Sequence, residues 1–434
     1  MRRLHSIANR GIKQYLCSMN QAKKQSQFFL ILILGLLSAI GPLSIDMYLP
    51  AFTSIAKGLN TTVASVMLSL SSFFIGISIG QLLYGPLLER YGRKTPLYFG
   101  LVIYAISSFA CATAMSVETL IAFRFFQALG GCVGMVASRA MVRDLFDVKD
   151  NAKVFSTLML VIAVSPIIAP SLGGLISTYL GWRYIFVMLI LVIASIIAGI
   201  YFLLPDSKGP DPTYSLKPVA ILTGFASILK HPQFILYTFS GAVASAGLYA
   251  FISGSPYVFL EIFKATEQHY GWGFAFVASG LIGSSQLNSL LLKNYSSQQI
   301  IKVALICQSV VAIILVSIAI LGLSELYSTL LLVFFYLSCQ GFIFPNAAAL
   351  SMAPFGHNAG NASALMGFIQ MSLGAFMSAM VSLFHNGTTL PMTGVMAFCS
   401  IVATLIYIAS KKGTLKPATI KLVEEEEVEM INTL

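Results

Sequence analysis

Residues 28–52 read FFLILILGLLSAIGPLSIDMYLPAF, an apolar run broken by one charged side chain, Asp46. At 1.5 Å per helical residue such a run crosses roughly 30 Å of hydrocarbon. The flank before it, residues 1–27, is basic and polar, and no small-residue cleavage pattern follows it. The run is too long for the apolar centre of a signal peptide, so it reads as a retained first membrane helix.

Runs of the same kind recur along the whole chain. Apolar residues make up 57% of the 434 positions and charged residues 10%, with a mean hydropathy of +0.84. A soluble domain carries about 25% charged residues, so this chain cannot cover itself with a hydrated surface. Breaking the apolar runs at charges and turn residues predicts twelve spans. Six precede a polar segment (28–52, 63–88, 96–115, 119–142, 154–180, 184–204) and six follow it (233–259, 270–292, 300–323, 326–350, 359–384, 388–410). The predicted organisation is a basic tail 1–27, a first six-helix bundle 28–205, a linker 206–232, a second bundle 233–410 and a tail 411–434. Six spans, a linker and six spans is the layout of transporters built from two halves with a site between them.

Charge orients this arrangement. Of the 26 basic residues, all but Lys57, Arg183, Lys264 and Arg124 fall in the tails, the linker and the loops on one side; Arg139 is counted there, in the loop after the fourth span. The positive-inside rule makes that side cytoplasmic, with both termini on it. The net charge of +10 is then explained by anionic lipid headgroups beside short basic clusters, without nucleic acid. The six cysteines are scattered, with no CxxC pair, and neither a disulfide framework nor a metal site is expected.

Two charged side chains stand firmly inside spans, away from their ends: Asp46 in the first and Arg124 in the fourth. Each costs roughly 2.5–3.5 kcal/mol at a helix centre, so each is a functional hypothesis. Counted from the same membrane surface, both lie about 9 Å deep, and pairing is geometrically allowed. Desolvation favours the neutral carboxyl and a nearby guanidinium the charged one. A conformational change altering either could therefore load or unload a proton at Asp46. The alternative is a static ion pair that only fixes helix packing, or a carboxylate in a hydrated vestibule. Tyr48, Gln127, Tyr249 and Asn346 are candidate substrate contacts, though amides and phenols within spans serve equally well as interhelical hydrogen bonders.

Gly76 with Gly80 and Gly130 with Gly134 form GxxxG pairs suited to close helix approach. Pro166 and Pro170 interrupt the hydrogen-bond ladder of the fifth span and should bend it. Gly76-Ile-Ser78-Ile-Gly80 fits a hydrolase pattern, but inside a continuous apolar helix rather than a strand-to-helix elbow. With no histidine firmly in any span, no H-E-x-x-H and no P-loop, neither an enzyme nor an ATP-driven pump is indicated.

Four stretches resemble the major facilitator superfamily and, within it, the Bcr/CflA group of drug exporters. They are Ser44-Ile-Asp46-Met-Tyr48-Leu-Pro50, the run from Gly80 through Gly85, Glu89, Arg90, Gly92 and Arg93 to Lys94, Arg124-Phe-Phe-Gln127-Ala-Leu-Gly130, and Ala169-Pro170-Ser-Leu-Gly173-Gly174. The start of the sixth helix, Trp182-Arg-Tyr-Ile-Phe186, fits as well. The resemblance implies an all-α membrane protein with twelve helices in two bundles around a central cavity. It implies proton-driven export of small organic compounds such as bicyclomycin- or phenicol-like antimicrobials, with Asp46 as proton site and Arg124 as its modulator. Gly85, Glu89, Arg90, Gly92 and Arg93 would belong to a latch between the halves; most members have aspartate where this chain has Glu89. Pro166, Pro170, Gly173 and Gly174 would belong to the antiporter motif of helix five. No cofactor is implied beyond the coupling proton. The expected setting is a bacterial inner membrane, with the protein functional as a monomer. Export of an endogenous metabolite, such as an amino acid derivative or small siderophore, is the rival within transport; a non-transporting sensor or scaffold is the rival outside it.

Overall fold

The computed structural model describes residues 28–146, 148–205, 207, 209–213, 216–355 and 359–410. The terminal tails 1–27 and 411–434 lie outside them, and the described residues contain no strand.

The first span is two helices rather than one. Helix α1 covers residues 28–46 and stops at Asp46 because Pro50 has no N–H to give the Asp46 carbonyl, and its ring would crowd that oxygen. The chain turns at Met47 and Tyr48, passes through a 3-10 turn, Leu49–Ala51, and resumes as α2, Phe52–Gly58. Then follow α3 (Val63–Tyr91), α4 (Lys94–Ala112), α5 (Val117–Leu145), α6 (Val148–Tyr179) and α7 (Arg183–Leu203). Side-chain oxygens of Thr62 and Ser116 accept from main-chain N–H groups at the starts of α3 and α5, each at 3.2 Å. The linker contains α8 (Pro218–Leu229). The second half comprises α9 (Pro232–Pro256, continued by a π-turn, Tyr257–Ile262), α10 (Glu267–Leu291), α11 (Ser297–Ile320), α12 (Leu326–Met352), α13 (Ala359–Leu383) and α14 (Leu390–Ser410).

Eleven of the described helices are long and apolar enough to cross a membrane. Helix α6, 32 residues long, stands where the fifth span was predicted. It runs on through Pro166 and Pro170, each of which leaves the carbonyl one turn before it without its helical N–H. Large apolar side chains such as Phe99, Ile106 and Leu191 project outward, the arrangement that lipid rather than water requires.

Missing side chains set the helix crossings. A Cβ at Gly76 would fall on the Phe125 carbonyl and Ala128, and one at Gly80 on Cys132, so α3 and α5 touch along that face. On α5, Gly130 meets the backbone of α4 at Gly100 and Tyr104, and Gly134 meets the Leu37 carbonyl of α1. Both GxxxG pairs are thus close-approach surfaces, and the hydrolase-like run lies in mid-helix as expected.

Each half is also tied by a buried polar network on its first, third and fourth long helices. In the first half, Arg124 of α5 bonds the Ser44 carbonyl of α1, and Gln127 of α5 donates to Ser108 of α4 at 2.7 Å. In the second, Gln340 of α12 donates to Ser245 of α9 at 2.6 Å and accepts from Gln308 of α11 at 3.3 Å. The two halves therefore repeat a contact pattern although no residue-level repeat is legible between them.

The halves meet where α3 packs on α13 and α6 on α10. Hydroxyl pairs bridge the first of these seams, Ser71 with Ser378 at 2.8 Å and Ser78 with Ser372 at 2.6 Å.

Gly130→Ala places a Cβ on the backbone of α4 and is expected to cost about 1–3 kcal/mol, as overpacking does. Gly85→Ala, whose Cβ would meet nothing within 4 Å, is expected to be neutral. Apparent melting temperatures in detergent check the contrast.

Candidate functional site

Asp46 is the last residue of α1, 4% exposed, and its Oδ2 has no hydrogen-bond partner. Ser165 of α6 faces it beyond hydrogen-bond geometry, and Tyr270 of α10 is near enough to feel its charge. The carboxyl thus lies where α1, α6 and the opposite half come together. Helix α6 supplies the room. A Cβ on Gly173 would coincide with the Met47 carbonyl, so only glycine lets the turn after Asp46 lie against α6. The neighbouring motif residues face the other half: Gly174 abuts the Glu267 backbone, and Ser171 abuts Gly271. The Ala169–Gly174 motif is therefore the joint of three helices, α1, α6 and α10.

Glu267, at the amino end of α10, closes that joint. Its Oε1 accepts from Ser54 of α2 at 2.8 Å and its Oε2 from Thr178 of α6 at 3.1 Å. Carboxylates are stabilised at helix amino termini, so the clasp costs little to hold. Beside it, Ser382 of α13 donates to the Ala64 carbonyl of α3 at 2.6 Å. This end of the molecule is closed.

Arg124 is fully buried and does not pair with Asp46: no ion pair within 4 Å joins them. The pairing that matched depths allowed is not made, because the two side chains point into different helix junctions. Arg124 Nη1 donates to Gln127 Oε1 at 2.6 Å, and Nη2 to the Ser44 carbonyl at 3.1 Å. That carbonyl is available because the Tyr48 N–H turns back to Ile45 O at 3.1 Å where α1 breaks. Aromatic rings surround the guanidinium, Phe73 at 4.1 Å, Tyr48 at 4.4 Å and Phe186 at 5.9 Å. Arg124 thus holds the backbone two residues before Asp46 rather than the carboxylate itself.

Three of the four candidate substrate contacts hydrogen-bond to protein groups, and the fourth, Tyr249, packs by its ring. The Tyr48 hydroxyl pairs with Ser69 at 2.7 Å, and Gln127 links Arg124 to Ser108. Tyr249 packs its ring on Phe74 at 4.8 Å and against Gly374. Asn346 donates to Asn288 Oδ1 at 2.6 Å.

At the opposite end, which carries the basic loops, Gly92 takes φ +78°, a left-handed conformation that favours glycine. The turn delivers Arg93 into a buried position, where Nη1 meets Glu89 Oε1 at 2.9 Å and Nε meets Asp144 Oδ2 at 2.7 Å. This cluster joins α3 to the end of α5 inside one half; Glu89 is engaged here by its own half. Arg90 occupies the last turn of α3. Asp144 was not singled out from the sequence, where it reads as one acid among the basic residues flanking the fourth span. Above the cluster a cavity of about 280 Å³ separates the halves, lined by Gln81, Gly85 and Arg139 from the first and by Gly360 and Asn361 from the second. Arg139, counted from the sequence as a loop residue, lies within α5, which runs on to Leu145.

The halves are accordingly in contact at one end, around a buried carboxyl, and separated by a cavity at the basic end. Among the described residues no group of three or more His, Cys, Asp or Glu side chains could hold a metal.

Residues 34–379 match the Major Facilitator Superfamily. The chain is 31% identical over 389 residues to a bicyclomycin resistance protein homolog of Haemophilus influenzae, covering 90% of this chain and 97% of that one. It is 31% identical over 388 residues to the uncharacterized MFS-type transporter YdgK of Bacillus subtilis, covering 88% and 95%, and 27% identical over 396 residues to a chloramphenicol resistance protein of Pseudomonas aeruginosa, covering 87% and 88%. Among solved structures, a D-xylose–proton symporter aligns with a TM-score of 0.69 at 14% identity, over 89% of this chain and 99% of that chain.

Asp46→Asn is expected to leave apparent stability within about 0.5 kcal/mol, because no partner is lost. Arg124→Gln is expected to cost about 2–4 kcal/mol, through lost hydrogen bonds and ring contacts in a buried place. Equal losses in detergent melting curves would mean that Asp46 has a structural partner.

Proposed function

Because the chain belongs to the Major Facilitator Superfamily, we propose that it is a proton-coupled exporter of small organic compounds working by alternating access. That it is a multi-pass membrane transporter follows from family and fold. Export and proton coupling rest on the physical argument below. The charge asymmetry of the loops supports a cytoplasmic basic end; a bacterial inner membrane and one chain as the working unit belong to the same proposal.

One observation carries the reading: a carboxyl buried in the closed joint with an oxygen that no protein group satisfies. Burying a charged carboxylate costs far more than burying a neutral one. Closure of the outer joint is therefore favoured once Asp46 holds a proton, and opening of the joint hydrates the carboxylate. A cycle follows. Asp46 takes a proton from outside, the joint closes over it, and the cavity at the basic end receives a compound from the cytoplasm. Proton discharge inward restores the charge, which drives the joint open toward the outside and releases the compound there. Arg124 keeps the α1 turn in place by holding the Ser44 carbonyl, and Gly173 lets that turn seat against α6.

Two relatives are named for resistance to bicyclomycin and chloramphenicol, which supports amphipathic antimicrobials of those kinds as first compounds to try. The test is transport in proteoliposomes under an imposed pH gradient. The wild type is expected to move a compound in response to the gradient. Asp46→Asn is expected to exchange it at equal pH while losing the response. Undiminished gradient-driven transport by Asp46→Asn would overturn Asp46 as the coupling site.

A further inference from the structure

The cavity at the basic end holds a cation that no group among the described residues answers. Arg139 lies on α5 four turns beyond Arg124, about 22 Å along the helix, and lines the cavity with Val136 and Ala140 of the same face. Its side chain is exposed where it lines the cavity. Among the described residues, no carboxylate pairs with it and no hydrogen bond engages its guanidinium. The acid lining the same cavity, Glu89, is held by Arg93 at 2.9 Å. Gln81 of α3, 5% exposed, presents its amide to the same space without a protein hydrogen bond. The space itself is clear, since a Cβ on Gly85 or on Gly360 would meet nothing within 4 Å.

An unpaired charge within a span is kept for a reason, because an apolar alternative would be cheaper there. A guanidinium is weakly hydrated and presents a planar fork of donors that matches a carboxylate two-pronged. The volume of about 280 Å³ stands near the lower end of ligand cavities and suits a single-ring acid or an amino acid derivative.

We propose that Arg139, assisted by the Gln81 amide, is the anion-recognising group of this cavity, so that the compounds it takes up include small organic carboxylates. The proposal rests on the cavity being the transport site, and it names a substrate class for that site.

Equilibrium binding tests it without requiring transport. The full-length protein in nanodiscs of zwitterionic lipid is treated with p-hydroxyphenylglyoxal, and modification of Arg139 is followed by peptide mass spectrometry. Arg183, at the other end of the molecule, serves as internal reference. Benzoate is expected to protect Arg139 saturably, at a concentration at least about tenfold below that of the neutral benzamide, as a charge-assisted contact requires, and to leave Arg183 unaffected. Equal protection by both compounds, or by neither, overturns the proposal. So does protection that appears only when phosphatidylglycerol is added to the nanodisc, which would assign Arg139 to an anionic lipid headgroup. A protein that binds benzoate but exports nothing sinks the transport reading alone; one that exports antimicrobials without benzoate protection sinks this assignment alone.

Discussion

The backbone approach of α6 to the break in α1 is the constraint on which the rest of the site depends. Pro50 ends α1 at Asp46, and the absence of a side chain at Gly173 lets the resulting turn lie on α6 at Met47. Once that contact is made, Asp46 is carried to the junction with α10, the Ser44 carbonyl is released to Arg124, and α2 arrives where Ser54 meets Glu267. A side chain at 173 would separate these elements together, since each depends on the same turn.

The two intramembrane charges are handled in opposite ways. Arg124 is satisfied on several sides, by Gln127, by the Ser44 carbonyl and by the rings of Tyr48 and Phe73. A guanidinium tolerates such enclosure because its charge is delocalised and aromatic faces attract it. Asp46 has no comparable shell. A buried group with so little to hold its charge responds most to any change in its surroundings, whereas a caged one is part of the scaffold. The proposed roles, coupling for the acid and positioning for the base, rest on this difference.

Much of this was legible in the sequence. Twelve apolar runs, the separating linker and the basic loops follow from hydrocarbon thickness and charge alone, and eleven described helices meet the same criteria in three dimensions. Asp46 and Arg124 stood out because charge inside a span is rare. The small-residue spacing correctly marked close helix approaches. That Asp46 and Arg124 do not pair was not legible, since depth along a helix says nothing about rotation around it, and the break at Pro50 turns Asp46 toward α6 and α10. Glu267 escaped notice because an acid just before a span reads as an ordinary loop residue; its role exists only through Ser54 and Thr178, which come from distant parts of the chain. Asp144 and Arg139 were hidden among neighbouring charges, where sequence cannot tell a loop from the last turns of a helix.

The central claim is that the charge on Asp46 sets whether the outer joint is closed. It is tested most directly by spin labels on Lys57→Cys and Asn386→Cys, exposed positions on the two halves near that joint. The native cysteines are replaced, and the distance between labels is measured in lipid across a pH range. Short distances should dominate at acid pH and lengthen as pH rises, because the charged carboxylate resists burial. Adding Asp46→Asn should hold the short distance at every pH. A pH response that persists unchanged in Asp46→Asn would contradict the account and move the controlling group elsewhere.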